Sequence, residues 1–282
     1  MTEKTSGAPA VLPPAGRRWR LSPSWMAVFV AVVLVAVVAR GLASFNSDYY
    51  EVWIYNDAQT GEEQRAQLMV DVFMAHTSGF LWGQIITLLL GAFLAVRLRA
   101  LPRAFTAALS AGLVLALVNV AVAWHSSAVS RRALTRWAEK SPGDFGSDLL
   151  ADDRFLQVLT AGLALFPVAA IAGVGLGNLI APLRHAPVAA LASLAVIATV
   201  PYGVLTAALG WLVATEESAP LALLIPIAVL PPAAVTPAVV RTALGDHGET
   251  FTLTMVVSGF TWALLLVSAG LLMRRRGGRS AR

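Results

Sequence analysis

The sequence predicts an all-α, polytopic membrane protein with six transmembrane helices. Hydrophobic residues make up 57% of the chain and charged residues only 13%, whereas soluble proteins carry about 25% charged residues. Several apolar runs reach or approach the 18 to 20 residues that cross a bilayer as a helix. These runs are spread over the whole length, which favours one membrane domain, residues 25–273, over separate soluble domains.

The first span is predicted at 25–44, after a polar cytoplasmic segment over residues 1–24. A cleaved signal peptide is the competing interpretation, because Gly41 and Ala43 have the small-x-small spacing of a cleavage site. The leader is long and Arg40 interrupts that site, which favours an uncleaved anchor. Residues 45–78 are expected to form an outer loop with interfacial aromatic residues and an amphipathic helix.

The next four spans follow from the remaining apolar runs and the short basic turns between them. Arg97, Arg99 and Arg103 mark the turn between spans 2 and 3, and Arg184 marks the turn between spans 4 and 5. Residues 125–153 form a second outer loop. The predicted boundaries are 80–96, 104–124, 155–180 and 188–214.

Residues 219–240 are apolar and long enough to span, yet they contain five prolines: Pro220, Pro226, Pro231, Pro232 and Pro237. Each proline lacks an N–H donor and clashes with the carbonyl four residues earlier, and lipid cannot satisfy that carbonyl. A re-entrant hairpin on the outer side is therefore predicted here, before a last span at 251–273 and a basic cytoplasmic tail at 274–282.

The distribution of positive charge chooses between six and seven spans. With six spans and a cytoplasmic N-terminus, most lysines and arginines lie inside, including all five arginines after residue 273. With seven spans the tail moves outside and the balance reverses, against the positive-inside rule. The sequence thus predicts six spans, a hairpin between spans 5 and 6, and both termini in the cytoplasm.

Several classes of activity lack their motifs in this sequence. It contains no P-loop, no G-x-S-x-G, no H-E-x-x-H and no cysteine, so neither a catalytic residue nor a cofactor is predicted. The four histidines are isolated, so they are interpreted as solvated or packing residues and no metal site is predicted. Glu62 and Glu63 suggest an intramembrane protease only weakly, because no partner histidine lies in a neighbouring span. The cations flank apolar runs instead of forming one patch, which argues against nucleic-acid binding.

The polar groups predicted inside the spans are amides and hydroxyls, since ionisable residues are almost absent there. That argues against a proton relay, which needs buried carboxylates or histidines. Gln84, Asn119 and Thr206 are candidates for lining a path, although helix–helix hydrogen bonding is the simpler interpretation of such residues. Gly173, Gly175 and Gly177 are expected to let helices approach closely.

Three stretches of the second half carry a resemblance to a known family. They are AAIAGVGLGNLIAPLRHAPVAALA, the broken segment between spans 5 and 6, and the last span with its arginine-rich end, LLLVSAGLLMRRRGGR. From about Leu156 onward the chain resembles permease subunits of ATP-binding-cassette transporters of the type-2 exporter class. In the first half, FLWGQIITLLLGAFLAV and ALPRAFTAAL loosely resemble that family's span 2 and the start of its span 3.

The resemblance implies a permease subunit that pairs with a second permease copy or paralogue and with a separate ATP-hydrolysing subunit. Arg97, Arg99, Arg103 and Arg184 are then candidates for contact with the ATPase, although positive-inside anchoring explains them equally well. The sequence departs from the family in its connection between spans 2 and 3, which is only VRLRALPRA and lacks an acidic residue.

A non-transport membrane protein is the alternative function: a scaffold, an accessory subunit or an immunity-type subunit that acts through its outer loops. For either function, the bias towards arginine, alanine and valine suggests a GC-rich genome. The expected location is a bacterial plasma membrane, with the lipid bilayer as the surrounding partner.

Overall fold

A computed structural model describes residues 23–56, 75–98, 100–128, 132, 153–181 and 248–279 of the chain. The described part is helical and contains no strand. Its long helices are α1 (Pro23–Asn56), α2 (Phe80–Leu98), α3 (Leu101–Ser126), α4 (Asp153–Ile180) and α5 (Gly248–Arg279).

Each of these five helices contains a segment long and apolar enough to cross a membrane. The chain is therefore a multi-pass α-helical membrane protein, as its composition predicted. The five segments correspond to predicted spans 1 to 4 and 6: Pro23–Phe45, Phe80–Leu98, Leu101–Ser126, Phe155–Ile180 and Val256–Arg275. Predicted span 5 (188–214) and the predicted hairpin (219–240) lie outside the described residues.

Helix ends differ from the predicted boundaries in two places. Helix α1 continues to Asn56, so the first twelve residues of the predicted outer loop are helical. No glycine or proline occurs from Leu42 to Asn56, so no residue there ends the helix where the apolar run stops. The turn between α2 and α3 is also shorter than predicted, because Arg97 belongs to α2 and Arg103 to α3.

Helices α2 and α4 form the inside of the bundle. Buried residues make up 67% of the most apolar segment of α4 and 56% of that of α2, but only 11% in α5. α4 packs against α2, α3 and α5, while α1 packs against α2 and α3. The exposed apolar side chains lie on α1, α3 and α5, which suits helices that face lipid.

Glycines bring α4 into backbone contact with both α2 and α5. A β-carbon on Gly173 would overlap the Leu88 carbonyl of α2, and one on Gly177 would overlap the Ala92 carbonyl. On the other side of α4, Gly175 lies against the backbone of Leu266 in α5. The expectation that these three glycines permit close helix approach is confirmed, and Gly173 and Gly177 have the G-x-x-x-G spacing of membrane helix contacts.

The contacts also fix the relative direction of the helices. Along α4, Leu165 lies beside Gly259 of α5, and Asn178 lies beside Gly270 further along α5. Residue numbers rise together in the two helices, so α4 and α5 are parallel. The same holds for α2 and α4, since Phe80 lies beside Gly162 and Ala95 beside Gly177.

Cysteine cross-linking can test the parallel packing, because the chain has no native cysteine. We expect the pair Leu165→Cys and Gly259→Cys to cross-link with a short bifunctional thiol reagent in native membranes. In the structure a β-carbon on Gly259 would lie 2.6 Å from Leu165 Cδ2. Mass spectrometry of the joined peptides provides the measurement.

The matched control pairs Leu165→Cys with Ala269→Cys. Ala269 lies ten residues further along α5, about 15 Å from the Gly259 level, so this pair is expected to stay unlinked. Efficient linking of the control pair, with none of the first pair, would show that α4 and α5 are antiparallel.

Candidate functional site

Four of the six exposed arginines among the described residues lie at one end of the bundle, here called the basic end. Since α2, α4 and α5 are parallel, their C-termini share this end, and α3 begins there after a two-residue turn. The described exposed arginines at this end are Arg97, Arg103, Arg274 and Arg275. Arg40 lies near the opposite end, since its neighbour Ala39 contacts Gly79 just before α2, and Arg132 follows the C-terminus of α3 at that same end.

Of the four candidate ATPase contacts, the structure thus brings Arg97 and Arg103 together at the basic end. The turn between them is tight: the Ala100 N–H donates to the Leu98 carbonyl, and Pro102 occupies the first turn of α3, where its missing N–H has no cost. Arg99 and Arg184 lie outside the described residues, as does the path candidate Thr206.

The two other path candidates, Gln84 and Asn119, are both fully buried, with 0% of each residue exposed. The Asn119 amide nitrogen donates to the Ser78 carbonyl at 3.0 Å and so ties α3 to the turn before α2. Its amide oxygen faces the glycines of that turn and of α2: β-carbons on Gly79 and Gly83 would lie 2.7 Å and 3.2 Å from it. Asn119 therefore makes the inter-helix hydrogen bond that polar residues in membranes commonly make.

Gln84 differs from Asn119, because neither its amide oxygen nor its amide nitrogen has a hydrogen-bond partner in the part of the chain that the structure describes. The Asn119 amide oxygen is likewise without one. Gln84 follows Gly83 and lies one helical turn from both Phe80 and Leu88, whose positions face α4. We call Gln84 and Asn119, with the glycines beside them, the amide site.

Three other polar residues of the described spans, Thr87, Thr160 and Asn178, bond within their own helices. The Thr87 hydroxyl donates to the Gly83 carbonyl at 2.6 Å, and Thr160 donates to the Leu156 carbonyl at 2.7 Å. The Asn178 amide nitrogen donates to the Val174 carbonyl at 2.9 Å. Each of these three side chains donates to the carbonyl four residues earlier in its own helix, in place of the helix–helix hydrogen bond expected of polar residues inside membrane spans.

Aromatic rings lie between the amide site and the end opposite the basic end. The His76 ring, in a residue only 2% exposed, meets the rings of Trp124 and Phe155 edge-on at centroid distances of 4.8 Å and 5.9 Å. One turn deeper, Phe80 of α2 meets Phe166 of α4 edge-on at 5.9 Å. His76 is thus a packing histidine. Among the described residues, no group of histidine and acidic side chains is suited to hold a metal ion.

Sequence reasoning passed over Gly79 and Pro167, which shape the site. Gly79 has φ +86°, a conformation that costs other residues about 1–2 kcal/mol. Pro167 lies inside α4 and packs against Gly112 of α3. A glycine next to Thr77 and Ser78, just before an apolar run, was the available signal for the turn.

Comparison with protein-family models, curated proteins and solved structures finds no match to this chain.

Substituting Gly79 tests the turn that positions the amide site. Gly79→Ala is expected to lower the melting temperature in detergent, because the new β-carbon would be strained and would lie 2.9 Å from the Ala39 Cα. Backbone strain and overpacking together are expected to cost about 2 kcal/mol or more. Gly41→Ala in α1 is the control: its β-carbon meets nothing within 4 Å, so that variant should be at least as stable as the native chain. Equal stability of the two variants would contradict the strained turn.

Proposed function

We propose that the chain is the membrane-spanning permease subunit of an ATP-binding-cassette exporter. It has six spans in a bacterial plasma membrane and works with a separate ATPase subunit and a second permease copy or paralogue. The observation that best supports this proposal is the parallel packing of α4 and α5, which constrains the chain between them.

If two spans of one chain are parallel, the chain that joins them must cross the membrane an odd number of times. One crossing in 182–247 gives six spans in all, whereas two crossings would make α4 and α5 antiparallel. The parallel packing therefore supports one span plus a hairpin that returns to the side it left. That is the topology that the resemblance to exporter permeases implies.

The charge of the described ends supports the orientation. Four described exposed arginines share the basic end against two, Arg40 and Arg132, at the opposite end, and positive residues collect on the cytoplasmic side. A cytoplasmic basic end puts the C-terminus inside and leaves Arg97 and Arg103 exposed where an ATPase would dock.

The polarity of the interior supports transport driven by ATP over transport driven by protons. The five membrane-crossing segments contain no aspartate, glutamate or lysine. Their buried polar side chains are amides and one hydroxyl: Gln84, Asn119, Asn178 and Thr87. A proton-coupled carrier needs an ionisable relay at membrane depth. An uncharged path is compatible with transport whose energy comes from a partner, here the proposed ATPase subunit.

One observation favours the second candidate, a scaffold, accessory or immunity-type membrane protein. Helix α2 ends at Leu98 and α3 begins at Leu101, so only two residues join them. The permeases that the chain resembles usually have a longer connection here, with a coupling helix that docks on the ATPase. Two residues cannot form such a helix, and a protein that acts through its outer loops does not need one.

Co-purification separates the two functions. The tagged chain, extracted from its native host in mild detergent, is expected to bring down an ATP-binding-cassette ATPase identified by mass spectrometry. The double variant Arg97→Gln/Arg103→Gln should recover several-fold less ATPase, because it removes two cations from the docking end. Arg40→Gln, near the opposite end, is the control and should recover the native amount. Absence of any ATPase from a well-expressed native chain would favour the scaffold, accessory or immunity-type role.

A reporter fused after Arg282 tests the orientation independently of any partner. We expect a cytoplasmic signal, because six spans with a cytoplasmic N-terminus return the tail to the cytoplasm. A matched fusion after Asp144, in the predicted second outer loop (125–153), should read on the other side of the membrane. A non-cytoplasmic signal after Arg282 would overturn the orientation.

A further inference from the structure

We propose that the amide site is a hydrated pocket inside the bundle, which water enters from the end opposite the basic end. The inference rests on three buried polar atoms without partners among the described residues: Gln84 Oε1, Gln84 Nε2 and Asn119 Oδ1. It concerns the interior of this chain alone and holds with or without an ATPase partner.

These atoms require a partner that the described side chains do not supply. A buried amide without hydrogen bonds is costly, and lipid provides neither donors nor acceptors. Two amide oxygens and one amide nitrogen, with no carboxylate or ammonium in the neighbouring spans, call for an uncharged molecule that both donates and accepts. Water meets that requirement, and buried waters commonly satisfy such groups.

The groups lie at similar depth on neighbouring helices. Asn119 Oδ1 lies against Gly83, the residue before Gln84. Across the α2–α4 contact, Phe166 lies against the same glycine, and its neighbour Pro167 has no N–H to donate to the Leu163 carbonyl. A carbonyl without its usual helical donor thus occurs at about the depth of the amide site. In membrane helices, ordered waters are one of the means by which such carbonyls are satisfied.

Among the described residues, buried polar side chains follow one another from the site towards the end opposite the basic end, whereas towards the basic end Thr87 is followed by apolar contacts. Towards the end opposite the basic end, Asn119 is bonded to Ser78, and Thr77 and His76 come next, all buried. Towards the basic end, α2 and α4 meet through the backbones of Gly91 and Ala170, and apolar Leu94 follows. Water that enters from the end opposite the basic end therefore meets polar groups to which it can bond. The backbone contact between α2 and α4 at Gly91 separates it from the basic end.

Single cysteines in the cysteine-free chain test the hydration, because thiols react with methanethiosulfonates as thiolates, which form in water and not in apolar surroundings. Gln84→Cys in sealed membranes is expected to react with a hydrophilic methanethiosulfonate at least tenfold faster than two controls. Leu94→Cys reports a buried apolar position of α2, 1% exposed, and Leu117→Cys an outward-facing position of α3, 66% exposed. Similar slow rates at all three positions would overturn the hydrated pocket.

The side of entry is read with a membrane-impermeant reagent added to one face of oriented vesicles. We expect labelling of Gln84→Cys from the face opposite the one on which the Arg282 reporter lies. Labelling from the reporter's own face would overturn the direction of entry. Because the reporter defines the face, this result does not depend on which compartment the basic end occupies or on whether an ATPase binds.

Thermal stability gives a second readout that needs no cysteine. If Gln84 were dry and without partners, Gln84→Met would remove a costly amide and raise the melting temperature. In a hydrated pocket the amide is satisfied, so the same change is expected to leave the melting temperature unchanged or lower it. A clear rise would overturn the proposal. Leu94→Met, which introduces the same side chain at a buried apolar position of α2, controls for the effect of methionine on packing.

Discussion

The structure depends on the contact that α4 makes with α2 and α5 through backbone atoms. In a bilayer, burial from water does not drive helices together, so association relies on close packing and hydrogen bonds. Gly173 and Gly177 let α2 approach one side of α4, and Gly175 lets α5 approach the other. Any side chain at these positions would separate the helices. In this contact α5 runs parallel to α4, which places the arginines of its C-terminus at the same end of the bundle as Arg97 of α2.

The α2–α4 contact also explains why the amide site lies where it does. Near the start of α2 the two helices are held by Phe80 and Phe166, whose rings occupy the space beside Gly162 and Gly83. Further along, at Gly91, the backbones touch. Gln84 lies between these two regions: the packed rings of Phe80 and Phe166 are on one side of it and the backbone contact at Gly91 is on the other.

Much of the helical framework was predictable because each signal is local. An apolar run of sufficient length predicts a span wherever its neighbours lie, and glycines at G-x-x-x-G spacing predict a close contact whichever helix makes it. Local signals did not reveal that Asn119 bonds to Ser78 or that His76 packs between Trp124 and Phe155. Those contacts depend on how α2, α3 and α4 are rotated about their axes, which hydropathy does not encode. The length of α1 was missed for a related reason, since the end of an apolar run does not end a helix that lacks a breaker.

The short α2–α3 turn limits how an ATPase could act on this bundle. Two residues between helices that are themselves packed on α4 leave little that can move independently, so a force applied at Arg97 or Arg103 would be shared by both helices. The segment after α4 offers a different route, since Arg184 follows Ile180 by only four positions. α4 contacts α2, α3 and α5, so a displacement at its C-terminus would reach most of the described bundle at once. If the chain is a permease, the end of α4 is therefore a second place, besides the turn before α3, at which an ATPase could act on the bundle.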